Sequence, residues 1–429
     1  RMYLIISLVL FLSLSYDALA APAAALHPQH RSKSFRVERV RRSDYIAHGP
    51  AALRKAYRKF GIVSTDFSDL DLDDFEPFDD LTRTSKSASY TDSSDETDQT
   101  GTVTATSVQG DVEFVSPVQI GGQTIVMDFD TGSSDMWVLN SELPESMVSN
   151  RTVYNPSKSS TYKKVDGTFK ISYGDSSNAQ GGLAKDVVSI GGATVKNQIF
   201  GLPTSVSDSF ISDENSNGLV GLGFTSINTF DPGPQKTFFD NIVPDLDEPV
   251  LTARLKSEGV GEYEFGKIDH DKYTGSLVNV TVDSSNGFWQ FEAAQFAVGD
   301  GSLQQITDTP TAIADTGTSL MLVSPQVAKA YYAGWAQYSN SVSGYIFSCD
   351  ADIPNLSVAI GNKFQATIPG SLINFAEIGT NKTTGGTVCY GGVQSNSGSS
   401  LQIFGDVFLK ALFVVFDHRG PSLGFASPK

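Results

Sequence analysis

The sequence predicts a mainly β protein whose body consists of two pseudo-symmetric lobes. After residue 101 the chain is made largely of short runs rich in Val, Ile, Phe and Thr, separated by Gly, Asn and Ser, a pattern typical of strands. The segment MDFDTGSSDMWV (Met127 to Val138) has a second copy, AIADTGTSLMLV (Ala312 to Val323), identical at six of twelve aligned positions. Two apolar residues and a glycine follow each copy, and these glycines, Gly221 and Gly405, lie 91 and 90 residues after the Asp of their copy. Two matched features at matched spacing indicate a tandem duplication in which each lobe supplies one Asp.

The first twenty residues have the features of a secretory signal peptide. An apolar stretch, Tyr3 to Tyr16, is followed by the small-residue sequence Ala18-Leu19-Ala20, which fits signal cleavage. No later segment approaches the roughly 18 consecutive apolar residues of a membrane-spanning helix. We therefore expect a secreted protein, with the vacuole as the alternative destination, and no membrane anchor.

Residues 21–90 are predicted to form a propeptide with a basic arm and an acidic linker. Arg31 to Lys59 contains ten Lys or Arg and two acidic residues, whereas the chain from Gly101 onward has 18 basic and 33 acidic residues. Opposite charge favours an arm that lies over an acidic cleft. Nucleic-acid binding is not expected, because a signal precedes the arm and an acidic body follows it. The Asp/Ser/Thr-rich residues 66–98 indicate a solvated linker, and maturation cleavage is expected within residues 85–103 or at Arg41-Arg42.

The two lobes are assigned to residues 91–275 and 276–429. Alternating apolar patterns predict strands, and Ser then Pro at the start of SPQVAKAYYAGWAQY predicts a helix. The clearest elements are strands at Glu113 to Ile120, Gln123 to Phe129, Thr168 to Tyr173 and Leu183 to Ile190, and a helix at Ser324 to Tyr338.

The cysteines and sequons agree with secretion. The only two cysteines, Cys349 and Cys389, are expected to pair in an oxidising compartment. Asn-X-Ser/Thr sequons make four residues candidates for N-glycosylation, namely Asn150, Asn279, Asn355 and Asn381.

The chain resembles the secreted fungal pepsin-like aspartic proteases in their zymogen form. The resemblance rests on both Asp-Thr-Gly motifs and on four further stretches, and it covers essentially the whole chain after the signal. These stretches are ISYGDSS (171–177), NGLVGLGFTSI (217–227), IFGDVFL (403–409) and AALRKAYRKFG (51–61). It implies a bilobal acid protease fold, a monomer that cleaves polypeptides, and sensitivity to pepstatin-type inhibitors, with no cofactor and no metal.

Two carboxylates held face to face, Asp130 and Asp315, suit general acid/base chemistry. Like charges a few ångströms apart in a cleft of low dielectric push one pKa down and the other up, so that the pair holds one proton.

The residues that follow each Asp have predicted supporting roles. Glycines allow close backbone approach and offer N–H donors, and the next hydroxyl donates to the outer carboxylate oxygen. By resemblance, the threonines after each Asp bond across the lobe interface. The positions concerned are Thr131, Gly132 and Ser133, and Thr316, Gly317 and Thr318.

The resemblance also assigns a flap, a pocket and an inhibitory lysine. Gly167 to Ile190 reads as a hairpin, whose family counterpart closes on the substrate. Its tip carries Tyr173, Gly174 and Asp175, with Trp137 as the partner of the tyrosine hydroxyl. Phe210 and Leu219 correspond to the main apolar subsite, so bulky apolar residues are expected beside the scissile bond. In the arm, Lys55 or Lys59 is expected to occupy the pair of carboxylates at neutral pH.

Other enzyme classes fit the sequence poorly. Only His270 and His418 lie in the body, without a G-x-S-x-G elbow or an H-E-x-x-H motif, which argues against a serine hydrolase and a metallohydrolase. The alternative from a different class is a relative that binds peptides without cutting them. Two intact Asp-Thr-Gly motifs argue against that alternative.

Overall fold

The residues that the structure describes fold mainly into β-strands. This computed structural model describes residues 34–38, 40–41, 48–62, 75–77, 114–149, 151–172, 178–207, 211, 216–256 and 261–429. All of them lie in one unit, Lys33–Lys429. The predicted signal peptide and the expected cleavage region at 85–103 lie outside the described residues.

Strands dominate both halves of the chain. They are numbered β1 to β28 in chain order: Phe35–Glu38, Val40–Arg41, Phe75–Pro77, Phe114–Ile120, Gln123–Asp130, Met136–Val138, Lys163–Ser172, Asn178–Ile190, Ala193–Val206, Gly218–Gly221, Val250–Arg254, Glu262–Phe265, Tyr273–Thr281, Gln290–Glu292, Gln295–Val298, Gln304–Gln305, Thr311–Ala314, Met321–Val323, Gln337–Ser339, Gly344–Ser348, Leu356–Ile360, Phe364–Ile368, Asn374–Asn381, Thr387–Gly391, Val393–Ser395, Gln402–Phe404, Phe413–Asp417 and Ser422–Pro428.

The helices are short. They are numbered α1 to α6: Gly49–Lys59, Glu145–Val148, Phe238–Ile242, Pro325–Tyr332, Gly370–Ile373 and Asp406–Leu409. Single 3₁₀ turns lie at Pro156–Lys158, Thr225–Ile227, Val243–Asp245, His270–Lys272 and Asn340–Val342.

Each lobe has its own sheets. The first lobe contains an eight-stranded sheet in the order β2-β4-β5-β10-β6-β9-β8-β7, with a further β4–β8 pairing, and its edge strand β2 comes from the arm. The second lobe contains three sheets, β14-β17-β26-β18-β25, β16-β15-β21-β22 and β19-β20-β24-β23-β3, and the edge strand β3 of the last comes from the predicted linker. The predicted mainly β, two-lobed fold is thus confirmed.

A six-stranded sheet joins the two halves and includes the arm. Its order is β1-β12-β11-β27-β28-β13, so strands from the first lobe, from the last seventeen residues and from the arm share one sheet. At its edge β1 pairs antiparallel with β12, and Phe35 of the arm stacks on the fully buried Phe265 with ring centroids 4.7 Å apart. The arm is therefore part of the fold.

The predicted elements are present with shifted bounds. Helix α4 ends at Tyr332 instead of Tyr338, because Gly334 takes a positive φ of 86° that continues no right-handed helix. The flap hairpin is longer than predicted, since β7 begins at Lys163 and β8 at Asn178. Cys349 and Cys389 form the predicted disulfide. None of the described helices is long and apolar enough to cross a membrane.

Candidate active site

Asp130 lies at the end of a central strand of the first lobe. Strand β5 is almost completely buried over its last four residues, and β10 pairs with it in parallel, so that Gly221 lies opposite Asp130. Strand β6 pairs antiparallel with the other side of β10, and Gly221 N donates to Asp135 O at 3.0 Å. Asp130 therefore lies at the end of a paired strand, immediately before the chain enters a tight turn.

The second lobe repeats this arrangement around Asp315. Strand β17 pairs in parallel with β26, and β18 pairs antiparallel with β26. Gly405 N donates to Leu320 O at 3.2 Å, the counterpart of the bond from Gly221. A Cβ at Gly405 would lie only 2.1 Å from Thr318 O, so the glycine is required by the close approach of the backbone. The matched glycines thus mark matched structures.

Both carboxylates receive the same donors. Gly132 N donates to Asp130 Oδ1 at 2.8 Å, and Ser133 Oγ donates to Asp130 Oδ2 at 2.6 Å. In the second lobe Gly317 N donates to Asp315 Oδ1 at 3.1 Å, and Thr318 Oγ1 donates to Asp315 Oδ2 at 2.5 Å. Each pair of donors favours the ionised form of its acid and fixes its orientation.

Two threonines tie the strand ends together across the lobe interface. Thr131 N donates to Thr316 Oγ1 at 3.1 Å, and Thr316 N donates to Thr131 Oγ1 at 3.0 Å. Each hydroxyl then donates to a backbone carbonyl of the opposite strand, Thr131 to Ala314 O at 2.9 Å and Thr316 to Phe129 O at 2.7 Å. These four bonds, all buried, set the spacing of the two carboxylates.

The glycines of the motifs bring each turn against the opposite Asp. A Cβ built on Gly132 would lie 2.5 Å from Asp315 Oδ1, and one built on Gly317 would lie 2.6 Å from Asp130 Cγ. Such contacts leave no room for a side chain. The two Asp residues themselves are 1% and 0% exposed, and each lies against the motif glycine of the other lobe, so they form one buried dyad.

Lys59 of the arm caps the dyad. Its Nζ lies 2.5 Å from Asp130 Oδ1 and 2.7 Å and 2.9 Å from the two oxygens of Asp315. The lysine is the last residue of α1, and its side chain is only 10% exposed. Among the hydrogen bonds of the described residues, none joins Lys55 to either Asp, so Lys59 is the lysine that reaches the dyad.

Helix α1 is held in the cleft by its apolar face. His48 accepts a hydrogen bond from Ala51 N at the N-terminus. Leu53, Ala56 and Tyr57, spaced to share one face, are 1%, 2% and 7% exposed. The Tyr57 hydroxyl donates to Ser395 O of the second lobe at 2.8 Å.

Beyond the helix end, the arm continues along the cleft. Phe60 packs against Phe288 with ring centroids 6.2 Å apart. Helix and aromatic contact together place the arm across the dyad.

The electrostatics of the dyad are asymmetric. Burial alone would raise the pKa of Asp130, but the Lys59 ammonium and hydrogen bonds from Asp315, Lys59 and Ser133 hold that pKa below its usual value. Burial raises the pKa of Asp315 to about 6, with the Lys59 charge opposing and the Asp130 charge adding to the rise. Burial would lower the pKa of Lys59, and the two carboxylates raise it above the usual value. With the arm bound, the pair therefore combines one acid whose pKa is lowered with one whose pKa is raised.

The structure describes some of the other predicted site residues and not others. Trp137 is buried in a second apolar cluster with Phe169 and Leu183 of the flap strands. Leu219 packs on the same cluster while remaining partly exposed. The flap tip and one pocket residue, Tyr173, Gly174, Asp175 and Phe210, lie outside the described residues.

The predicted sequons are similarly divided. Asn279 and Asn355 are exposed and Asn381 is half-buried. Asn150 lies outside the described residues.

Contacts of the arm far from the dyad were missed by the sequence reasoning. Arg36 makes ion pairs with Glu262 at 3.1 Å and with Glu264 and Asp269 at 3.5 Å each. The excess of positive charge in the arm signalled that such partners exist, but not which acids of the body they are. No group of three candidate metal ligands occurs among the described residues.

Comparisons with known proteins give a consistent result. Residues 113–428 match the family model described as eukaryotic aspartyl protease. A protein of Aspergillus fumigatus, provisionally named an aspergillopepsin A-like aspartic endopeptidase, is 59% identical over 426 residues, which is 99% of each chain. Aspartic protease PEP3 of Coccidioides posadasii is 48% identical over 92% of this chain and 89% of its own. Aspergillopepsin-1 of Aspergillus flavus is 45% identical over 76% of this chain and 80% of its own.

Proposed function

The chain belongs to the eukaryotic aspartyl protease family and is a pepsin-like aspartic endopeptidase, and we propose that it is a secreted zymogen that acid converts into its active form. The observation that carries the proposal is the contact of Lys59 Nζ with both Asp130 and Asp315. A cation at that point occupies the space that the attacking water and the scissile carbonyl need. The arm therefore blocks catalysis as long as the contact holds.

Catalysis follows from a dyad with one proton. The ionised carboxylate takes a proton from a water molecule, while the protonated carboxyl donates its proton to the carbonyl oxygen of the scissile bond. The product is a tetrahedral diol, and no covalent adduct with the enzyme forms. The two acids titrate as a coupled unit, so the roles belong to the pair. The cross-lobe threonine bonds support this chemistry, since a displacement of about 1 Å costs on the order of 100-fold in rate.

Acid favours release of the arm because the arm depresses both carboxyl pKa values. The Lys59 charge lowers the pKa of Asp130 and of Asp315, so departure of the arm raises both and takes up protons. By linkage, a process that takes up protons becomes more favourable as the pH falls. The attraction weakens first as the pH falls through about 6, where Asp315 titrates with the arm bound. It weakens further at pH values below the usual pKa range of an Asp side chain, because the pKa of Asp130 is lowered with the arm bound.

An apolar subsite beside the dyad supports a preference for bulky apolar residues. Leu219 lies on β10, two residues before Gly221, which lies opposite Asp130, and it packs on the cluster around Trp137. Its partly exposed side chain therefore offers apolar surface close to the reacting atoms. The names of the fungal relatives favour polypeptides as substrates.

The test uses the secreted full chain. We expect no hydrolysis of casein at neutral pH, and hydrolysis that pepstatin blocks after incubation near pH 3, where one acid of the dyad is ionised and the other protonated. The variants Asp130→Asn and Asp315→Asn, of similar shape, should each lose activity after the same treatment. Mass spectrometry of the acid-treated chain gives its new N-terminus and its cleavage preference. A chain that loses its arm and still cuts nothing in a pepstatin-sensitive way would be a peptide-binding relative instead.

A further inference from the structure

A groove lies in the second lobe at one end of the five-stranded sheet β19-β20-β24-β23-β3. Its volume is about 800 Å³, and it runs between the segment 334–341, strand β20 and the turn from β23 to β24. This size lies within the range of roughly 300–1,000 Å³ that is typical of ligand sites. None of the dyad residues, and no residue of α1, lines it. The groove is therefore separate from the catalytic site.

Its lining is aromatic and polar but carries no charge. Trp335, Tyr338 and Phe347 supply ring surface, while Asn340, Asn381 and several Ser and Thr residues supply amides and hydroxyls. No Asp, Glu, Lys or Arg lines it, although the whole chain has 48 acidic and 31 basic residues. Aromatic faces pack against the C–H face of a sugar ring, and neutral amides and hydroxyls bond to sugar hydroxyls. The lining thus suits a neutral carbohydrate.

The aromatic residues are held in place by their neighbours. Trp335 Nε1 donates to Tyr331 O at 2.6 Å, and its ring lies 5.0 Å from that of Phe347. Tyr338 is 40% exposed, which makes it one of two large apolar side chains that are exposed among the described residues, with Leu303. Its ring packs edge-on against Tyr345. A fixed, exposed aromatic surface is thus present before any ligand binds.

Asn381 connects this groove to a specific sugar source. It lines the groove and is the asparagine of the sequon Asn381-Lys382-Thr383. Its Oδ1 accepts hydrogen bonds from the backbone N–H groups of Thr383 and Thr384, both at 2.9 Å. The amide is thereby fixed through its oxygen, and none of the described hydrogen bonds uses Nδ2, the atom to which an N-linked glycan attaches.

We propose that the glycan attached to Asn381 folds back into this groove and packs on Trp335 and Tyr338. Its first sugars lie on the surface of the second lobe as a fixed part of the protein instead of extending into solvent. The proposal rests on the secretory route given above, because N-glycosylation requires it. It is independent of the catalytic assignment.

Native endoglycosidase digestion of the secreted full chain tests the proposal, with peptide mass spectrometry to follow each sequon. The glycan at Asn381 should be released about tenfold more slowly than a glycan at Asn279, because only the undocked fraction is open to the enzyme. The variant Tyr338→Ala should abolish that difference. Leu303→Ala, which removes the other exposed apolar side chain, should leave it unchanged.

A second measurement keeps the test sharp if Tyr338→Ala folds poorly. Thr383→Ala removes the sequon without altering the groove, and it should speed hydrogen exchange of the amides in 335–341. Equal release rates at both sites, an unmodified Asn381 beside a modified Asn279, or protection of 335–341 that survives Thr383→Ala would each overturn the proposal. A chain with no glycan at any sequon would overturn the secretory route as well.

Discussion

Replacing Lys59 by methionine removes the ammonium that both acids of the dyad contact. Its Nζ makes three contacts of 2.5 to 2.9 Å with Asp130 and Asp315, and the side chain is only 10% exposed. Removing one partner of a buried ion pair costs about 3 to 5 kcal/mol. The arm should therefore bind the cleft about 100-fold to several thousand-fold more weakly at neutral pH. The rest of helix α1 is unchanged by the substitution.

The more weakly bound arm of the Lys59→Met variant should be released at a higher pH than the arm of the unaltered chain. Since release takes up one or two protons, and each proton contributes about 1.4 kcal/mol per pH unit, a loss of about 3 to 5 kcal/mol moves the activation midpoint upward by about one to four pH units. The assay is cleavage of a quenched apolar peptide in the first seconds after the full chain, purified at neutral pH, is transferred to buffers between about pH 3 and 7. This range includes the raised pKa of Asp315, about 6. The initial rate reports the open fraction before processing begins.

Lys55→Met is the matched comparison, because Lys55 lies one turn earlier on α1 and is not among the charges that shift the pKa values of Asp130 and Asp315. It should move the activation midpoint by less than Lys59→Met does. Identical midpoints for Lys59→Met and the unaltered chain would refute the electrostatic lock. An equal shift in both variants would attribute the effect to the helix in general.

Three further predictions concern the dyad scaffold and the stability of the body. Thr316→Val, nearly isosteric, leaves two buried partners unsatisfied and should lower the free energy of unfolding by about 2 to 3 kcal/mol, with a fall in kcat; unfolding in urea and steady-state kinetics measure both. Gly317→Ala places a Cβ 2.6 Å from Asp130 Cγ, so it should abolish activity while circular dichroism shows an intact fold. His418→Gln tests the 2.9 Å pair with Asp240. The hydrogen bond with Asp240 raises the pKa of His418; burial opposes the fall in the pKa of Asp240, but hydrogen bonds from His418 and Thr225 lower it. The pair therefore stabilises the fold at pH values from below the usual pKa range of Asp to above the usual pKa range of His. Its loss should lower the free energy of unfolding by about 1 kcal/mol at pH 5 and by little at pH 9, as measured by thermal unfolding.

The two acids of the dyad could be identified from the sequence because the same motif occurs in both copies of the duplication. Asp130 and Asp315 are the only acids that stand at the same point of both copies, each with a glycine about 90 residues later. Strand patterns near them were also informative, since β5 carries the apolar residues Ile125 to Met127 and Phe129 and is buried over its last four residues. Local patterns and the repeat therefore predicted the fold and the meeting of Asp130 and Asp315.

Long-range contacts were beyond such patterns. Lys55 and Lys59 are four residues apart on α1, so they share a helix face and sequence alone does not separate them. Only the point where the helix ends, beside the dyad, selects Lys59. The groove at Trp335 is formed by segments about 50 residues apart in the sequence. It also depends on the end of α4 at Tyr332, whereas the apolar pattern predicted that this helix continues to Tyr338.

The reciprocal bonds between Thr131 and Thr316 are those of a twofold axis. Each threonine gives its N–H to the hydroxyl of the other, as equivalent residues do in an isologous dimer. The present chain is in effect such a dimer fused end to end, so assembly of its buried dyad does not depend on protein concentration. Fusion also frees the two halves to diverge, so two acids in matched positions can have different pKa values. In a strictly symmetric dimer the two sites are identical, and the acids differ only through the single proton that they share.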